Sequence, residues 1–255
     1  MKTLVIIPTY QEAANITHVL DRVLAAAPSV DVLVVDDDSP DGTGGLVTAH
    51  PLFCRRVFLL SRRPKAGLGV AYRAGYAEAL DTGYEAVVQM DADLSHAPED
   101  VPALLAALEH ADVVIGSRYV PGGRTVGWPV SRRLVSWAGN LYVRMMLGLP
   151  VRDTTAGFRA FRTAALTAID VLHSQSDGYA FQIETTWRAR RRGLRIVEVP
   201  ITFTERVAGA SKMSTAIAVE ALVNVLGWRL RSFRRPVECT VASRVTPARA
   251  RDHAA

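Results

Sequence analysis

Five short stretches are apolar at nearly every position and end abruptly in polar residues: "TLVIIPTY" (3–10), "VDVLVVDDDS" (30–39), "RVFLLSR" (56–62), "YEAVVQMDAD" (84–93) and "ADVVIGSRY" (111–119). Continuous β-branched runs of this length read as strands buried on both faces. Between them, residues 11–27, 41–50, 67–82 and 98–110 have the spacing of helices. Alternating β and α segments predict an α/β fold, with a mostly parallel central sheet and helices on both faces. Ligands of such sheets bind outside the carboxyl ends of the strands. The rule sends Thr9, Tyr10 and Glu12, then Asp36, Asp37 and Asp38, then Lys65, then Asp91 and Asp93, then Arg118, to one edge. A helix cap explains a single acidic strand end, but not five polar ends together.

After residue 120 the alternation blurs. "PGGRTVGWP" reads as a loop, 131–150 as a helix, "DTTAGFRAFR" as the approach to a strand or turn, and "DGYAFQIETTWRARRRG" as a helix with a basic end. "LRIVEVPITFTER" is strand-like, "VAGASKM" is a small-residue loop, and 214–234 reads as a final amphipathic helix. The globular domain is therefore expected over 1–235, with a disordered tail over 236–255. In 134–149 only Ser136, Asn140 and Arg144 form a polar line, leaving a wide apolar surface that includes Trp137, Met145 and Met146. In 214–234, Val219, Leu222, Val223, Leu226, Leu230 and Phe233 share one face. Either segment suits a core helix, and at least one is expected to lie on a membrane surface, given Trp228 and the nearby Arg229, Arg231, Arg234 and Arg235. Arg144, Glu220 and Arg229 interrupt every apolar segment before about 18 residues, so no spanning helix is expected. Pro8 breaks the N-terminal run too early for a signal-peptide core, which leaves a first strand.

Charge changes this picture more than composition does. Residues 1–117 hold 8 Lys+Arg against 16 Asp+Glu, whereas residues 118–255 hold 22 against 9. An acidic half suits a metal and sugar hydroxyls; a basic half suits phosphates or an anionic surface. The two cysteines, Cys54 and Cys239, lack metal-ligand spacing and read as plain thiols of a reducing compartment. No GxGxxG follows the first strand and no GK[ST] occurs, which removes the main support for dinucleotide or P-loop chemistry. Asp91 and Asp93 repel each other unless a cation or donor cluster compensates them. A divalent ion, Mg2+ or Mn2+, is the expected cofactor on that pair. His96 reads as a helix-start residue, and Arg190, Arg191 and Arg192 as a solvated helix end.

"VIIPTYQEAANI", "VVDDDSPDGT", "KAGLGVAYRAGY", "MDADLSHAPED", "GSRYVPGG", "DTTAGFRAF", "GYAFQIE" and "VPITFTERVAGASKM" together resemble the polyprenol (dolichyl) phosphate mannose synthases, inverting family 2 glycosyltransferases of GT-A fold. The first four motifs belong to the wider superfamily; the last two are the more specific. The resemblance implies GDP-mannose as donor, a membrane-borne polyprenyl phosphate as acceptor, and a peripheral location on the cytoplasmic face. It also leaves room for a membrane-anchored protein partner and implies no nucleic acid. Pro8, Thr9, Tyr10, Glu12, Val35, Asp37, Lys65, Gly67 and Ala92 match the nucleotide-sugar pocket, and Asp91 and Asp93 the metal and diphosphate site. Arg118, Arg133, Arg206 and Lys212 match basic positions that hold phosphates. Glu184 is a further sugar-orienting candidate, with a plain ion pair as the alternative. Asp38 stands where relatives commonly carry Gly, and a larger apolar residue often precedes the glycine of "KAGLG"; neither touches a charged role. Many relatives also carry spanning helices after the catalytic domain, which are not expected here. A glucosyltransferase using UDP-glucose, a non-catalytic nucleotide-sugar-binding protein and a polysaccharide-extending transferase are the alternatives. A phosphate acceptor, largely dianionic at neutral pH, needs steering more than a base.

Overall fold

The computed structural model describes residues 1–63, 67–205 and 224–230. All five expected strands form: β1 (Thr3–Thr9), β2 (Asp31–Asp36), β3 (Val57–Ser61), β4 (Ala86–Gln89) and β5 (Val113–Ser117). They alternate with helices α1 (Ile16–Ala26), α2 (Thr43–Thr48), α3 (Leu68–Asp81) and α4 (Val101–Leu108). In α1 the buried residues Ile16, Val19, Leu20, Val23 and Leu24 repeat at helical spacing and form the stripe that docks on the sheet. That helix starts later than its pattern suggests, because Glu12 O accepts the amides of Asn15 and Ile16 in a preceding turn.

The second half adds β6 (Arg124–Val126), α5 (Val130–Leu147), β7 (Arg159–Arg162), α6 (Thr163–Ala168), α7 (Gly178–Arg191), β8 (Ile196–Pro200) and β9 (Thr202–Thr204). The main sheet runs β3-β2-β1-β4-β7-β5-β8. Every pairing in it is parallel except those of β7, which lies antiparallel between β4 and β5. One apolar layer packs on each face of this sheet. On one side α3 approaches closely: a Cβ built on Gly75 would stand 2.6 Å from Ile6 Cγ2.

Two expectations changed. The run over 194–206 holds two strands: β8 follows β5 through Pro200, with Ile201 N still donating to Ser117 O, and the chain then changes partner, Ile201 O accepting from Arg124 N as β9 joins β6. The "PGGRTVGWP" loop contains β6, which pairs with β9 in a separate two-stranded ribbon. Residues 224–230 are helical, as expected for part of 214–234, with Val225 and Trp228 buried and Trp228 stacked 5.7 Å from Trp187. Leu226 and Leu230 are exposed. The remainder of that segment, the 236–255 tail, Lys65, Arg206 and Lys212 lie outside the described residues.

Candidate active site

A cleft of about 310 Å³ opens at the carboxyl ends of β1, β2, β4 and β5. Pro8, Thr9, Tyr10 and Glu12 enter it from β1, Asp37 from β2, and Asp91, Ala92 and Asp93 from the turn after β4. Gly67, just before α3, and Arg118, just after β5, complete the set. Of the described residues that the sheet rule sends to this edge, Thr9, Tyr10, Glu12, Asp37, Asp91, Asp93 and Arg118 line the cleft, whereas Asp36 and Asp38 do not.

The β2 end divides its labour. Asp36 accepts hydrogen bonds from Thr9 Oγ1 at 2.7 Å and Ser39 N at 2.9 Å, so it ties two loops together. Asp37 faces the cleft, with Arg62 Nη1 3.1 Å from its Oδ1 at ion-pair distance but without hydrogen-bond alignment. Asp38 is exposed, pairs with Arg63 at 2.9 Å and has φ +56°, a left-handed conformation that Asp tolerates better than most residues. That backbone explains why glycine is also at home there. Val35 differs from expectation: its side chain is fully buried in the sheet core and does not line the cleft.

Asp91 and Asp93 stand on a turn held by local donors. Tyr72 Oη donates to Asp91 Oδ1 at 3.3 Å, and Ser95 N donates to Asp93 Oδ1 at 3.1 Å. The Asp91 amide donates to His96 Nδ1 at 3.2 Å, which leaves the His96 proton on Nε2. Burial pushes His96 below the usual imidazole range, and its ring stacks on Phe158 at 5.0 Å. A neutral ring with Nδ1 occupied and Nε2 protonated is a donor, not a base. Far from marking only a helix start, His96 forms part of the cleft floor. Opposite it, Gly157 contributes no side chain; a Cβ there would lie 3.5 Å from Asp91 Oδ2 and 3.4 Å from His96 Cε1. No group of three or more His, Cys, Asp or Glu suited to a metal occurs among the described residues. A cation held here would have two carboxylates and would draw its remaining oxygens from water and a phosphate-bearing ligand, as Mg2+ commonly does.

The basic wall differs from the sequence expectation. Arg118 reaches the cleft, but it is paired: its Nε and Nη2 donate to Asp153 at 2.7 and 2.6 Å, and its amide donates to the same carboxylate at 3.0 Å. Burial disfavours both charges, yet each partner outweighs that cost, raising Arg118 and holding Asp153 below the usual carboxylate range. Trp128 and Phe203 rings lie 5.3 and 5.5 Å from the guanidinium. Arg133 is exposed on α5 and does not line the cleft; Arg132 does, stacked 4.2 Å over Trp128 and hydrogen-bonded to Glu205. One step along a helix turns a side chain about a quarter turn, so the sequence alone could not choose between adjacent arginines. Glu184, after Val35 and Arg133, is the third correction. It is buried outside the cleft, accepting from Arg188 Nε at 2.8 Å and Ser176 N at 3.0 Å, so the plain ion pair is the structure's answer.

Behind the wall sits a buried polar scaffold. Gln89 Nε2 donates to Gly157 O at 2.8 Å and to Gln182 Oε1 at 2.9 Å, while Tyr76 donates to Gln89 Oε1. Arg159, fully buried, donates to Thr154 O, Ala156 O and Gln182 O at 2.7–2.9 Å. Burial lowers it to about 10. These bonds fix residues 154–157, the loop that faces the carboxylates. The sequence reading missed Trp128, Arg132, Phe203 and Gln182 as lining residues. Their signals were the tryptophan inside an otherwise loop-like stretch and the polar residues of an apolar-looking helix.

With that geometry in view, the chain matches the family model "Glycosyl transferase family 2" over residues 4–169. The chain belongs to glycosyl transferase family 2. Within the family, it is 54% identical over 230 residues to undecaprenyl-phosphate mannosyltransferase of Micrococcus luteus, covering 90% of this chain and 95% of that one. It is 50% identical over 232 residues to polyprenol monophosphomannose synthase of Mycolicibacterium smegmatis, covering 90% and 88%. Among solved structures, glucosyl-3-phosphoglycerate synthase from Mycobacterium tuberculosis, in complex with Mn2+, UDP and glucosyl-3-phosphoglycerate, superposes with TM-score 0.67 at 22% identity, over 89% of this chain and 80% of that chain. The family 2 enzyme thus has the GT-A fold.

Proposed function

We propose that this enzyme transfers mannose from GDP-mannose to a polyprenyl phosphate with inversion, giving a polyprenyl phosphate β-mannose. The observation that carries the reading is identity of 50% or more, over nine-tenths of the chain, to two enzymes named for mannosyl transfer to polyprenyl carriers. The cleft agrees in kind: an acidic pair faces a wall bearing Arg118, Arg132 and aromatic rings. Pro8, Thr9, Tyr10, Glu12, Asp37, Lys65, Gly67 and Ala92 bind the nucleotide sugar. Asp91 and Asp93 are suited to hold Mg2+ or Mn2+, since Gly157 keeps the space beside Asp91 free of a side chain. Such a cation would neutralise charge on the diphosphate that leaves.

The acceptor's phosphate oxygen forms the new bond at the anomeric carbon, and the bond from that carbon to the donor diphosphate breaks, releasing GDP. The nucleophile is already ionised, because the second phosphate ionisation lies near 6. A base is therefore unnecessary, in keeping with His96 as a donor-only ring. Arg132, Arg206 and Lys212 steer the acceptor phosphate, and Arg118 shapes the pocket through its pairing with Asp153. The lipid acceptor calls for peripheral contact with the cytoplasmic face of a membrane, alone or through an anchored partner. No helix among the described residues is long and apolar enough to cross one. The test is to incubate the purified enzyme with a short-chain prenyl phosphate or the matching free prenol and a panel of nucleotide sugars including UDP-glucose. GDP-mannose and the prenyl phosphate should form the productive pair. Efficient mannosylation of the free alcohol would overturn the mechanism, and preference for UDP-glucose would overturn the donor.

A further inference from the structure

Helix α5 turns a polar line inward and leaves several large apolar side chains exposed. Its polar line turns inward: Ser136 Oγ accepts from Tyr119 Oη at 2.7 Å, and Asn140 Oδ1 accepts from Thr154 N at 2.7 Å and Thr154 Oγ1 at 2.8 Å. Several of its large apolar residues turn outward, with Leu134 60%, Trp137 54% and Met145 67% exposed, while Val143 is buried in the core and Tyr142, Met146 and Leu147 pack against it. Continuing the polar line, Arg144 enters a second cavity of about 240 Å³, walled by Tyr119, Trp137, Asn140, Leu141, Arg144 and Arg152. None of these six lines the catalytic cleft. Among the described residues the buried Arg144 Nε has no hydrogen-bond partner, and neither Arg144 nor Arg152 forms an ion pair. The nearest acidic group in sequence, Asp153, is committed to Arg118, while Glu198 accepts the backbone amides of Arg152 and Asp153.

A buried guanidinium donor without an acceptor is costly, and two arginines in one cavity repel each other until an anion joins them. The guanidinium fork matches phosphate oxygens bidentately. The exposed Trp137 at the rim and the apolar residues beside it fit the hydrocarbon and interfacial part of an amphiphile, where tryptophan is favoured. We propose that this second cavity is a phosphate-binding site that seats the headgroup of an anionic membrane lipid while the apolar face of α5 rests among the acyl chains. The site goes beyond the transfer reaction and holds whatever the sugar donor is. It would fix the angle at which the catalytic cleft meets the bilayer.

The experiment compares binding of the full chain to phosphatidylglycerol-containing vesicles and to pure phosphatidylcholine vesicles. The Arg144→Gln/Arg152→Gln variant should bind the anionic vesicles about tenfold more weakly than wild type. The matched loss of two exposed charges at the end of α7 and just after it, Arg190→Gln/Arg192→Gln, should change binding less than about twofold. Equal weakening in both would mean diffuse surface charge and overturn the site. A second arm titrates inorganic phosphate and follows tryptophan fluorescence. Saturation at micromolar phosphate, lost in the Arg144/Arg152 variant while vesicle binding is kept, would mark a soluble-anion site and overturn the lipid assignment. Mannosyl transfer to a detergent-dispersed short-chain prenyl phosphate should be unchanged in the variant, which separates this proposal from the reaction itself. If the double variant melts early, Arg152→Glu, at an exposed side chain, gives the same comparison: unchanged anionic-vesicle binding would overturn the site.

Discussion

Replacing Asp153 by Asn is the sharpest test of how the cleft is held. The side chains of Arg118 and Asp153 are 6% and 0% exposed, and the carboxylate receives three hydrogen bonds from Arg118. Asn keeps the shape and, with its oxygen in the Oδ2 position, can still accept from the Arg118 amide and Nε, but its NH2 group then faces Arg118 Nη2 and the buried guanidinium is left uncompensated. Removing one partner of such a pair typically costs about 3–5 kcal/mol, more than the loss of the hydrogen bonds alone, because the remaining charge stays desolvated. The double variant Asp153→Asn/Arg118→Met removes both charges and should recover more than half of that loss. Urea denaturation followed by circular dichroism and tryptophan fluorescence, with coincident transitions as the two-state check, supplies the numbers. The pH dependence has a definite sign. Arg118 holds Asp153 below its ordinary value of 3.8, so its stabilisation is complete above that pH and is lost as pH falls through the folded value. The Asn variant should therefore show a shallower acid limb below about pH 3.8. A single-variant loss under about 1 kcal/mol, or a double variant no better than the single, would refute the reasoning.

Asp91→Asn and Asp93→Asn should each slow transfer by about two orders of magnitude or more while leaving thermal melting nearly unchanged, measured with and without chelator. Gly157→Ala adds a methyl at ordinary contact distance from Asp91 and His96, so the fold should tolerate it. Its transfer rate should nevertheless fall about tenfold or more, since the methyl occupies space beside the carboxylate. Gly75→Ala drives a Cβ to 2.6 Å from Ile6 Cγ2 and should cost about 1–3 kcal/mol in chemical denaturation, with activity per folded molecule intact.

The first half of the fold was legible because parallel strands buried on both faces carry their signature locally. β1 through β5 each appear as a continuous apolar run, and the strand-end rule then gathers Thr9, Asp37, Asp91 and Arg118 without contact information. The second half depends on long-range choices. "DTTAGFRAF" reads as strand or turn, and nothing in it announces that β7 runs against its neighbours or that Arg159 is buried to brace the loop before it. The polar line of α5 was visible, but its direction was not, because the hydroxyls and amides that receive it come from residues 119 and 154. Arg132 and Arg133 are interchangeable in composition and separated only by helix phase. Glu184 looked like a site residue because its motif borders the cleft; its partner, Arg188, lies one turn along the same helix.

The reversed direction of β7 has a consequence for how such an enzyme can diversify. Parallel strands present the segments that leave them at the working rim, whereas β7 presents the segment that arrives, residues 154–157. Opposite sides of the cleft are consequently written in separate stretches of chain, joined by contacts such as the hydrogen bond from Gln89 to Gly157 and the stacking of His96 on Phe158. Recombination or loop exchange between Asp153 and Arg159 could recast one side as a cassette, leaving the β1, β2 and β4 rims untouched.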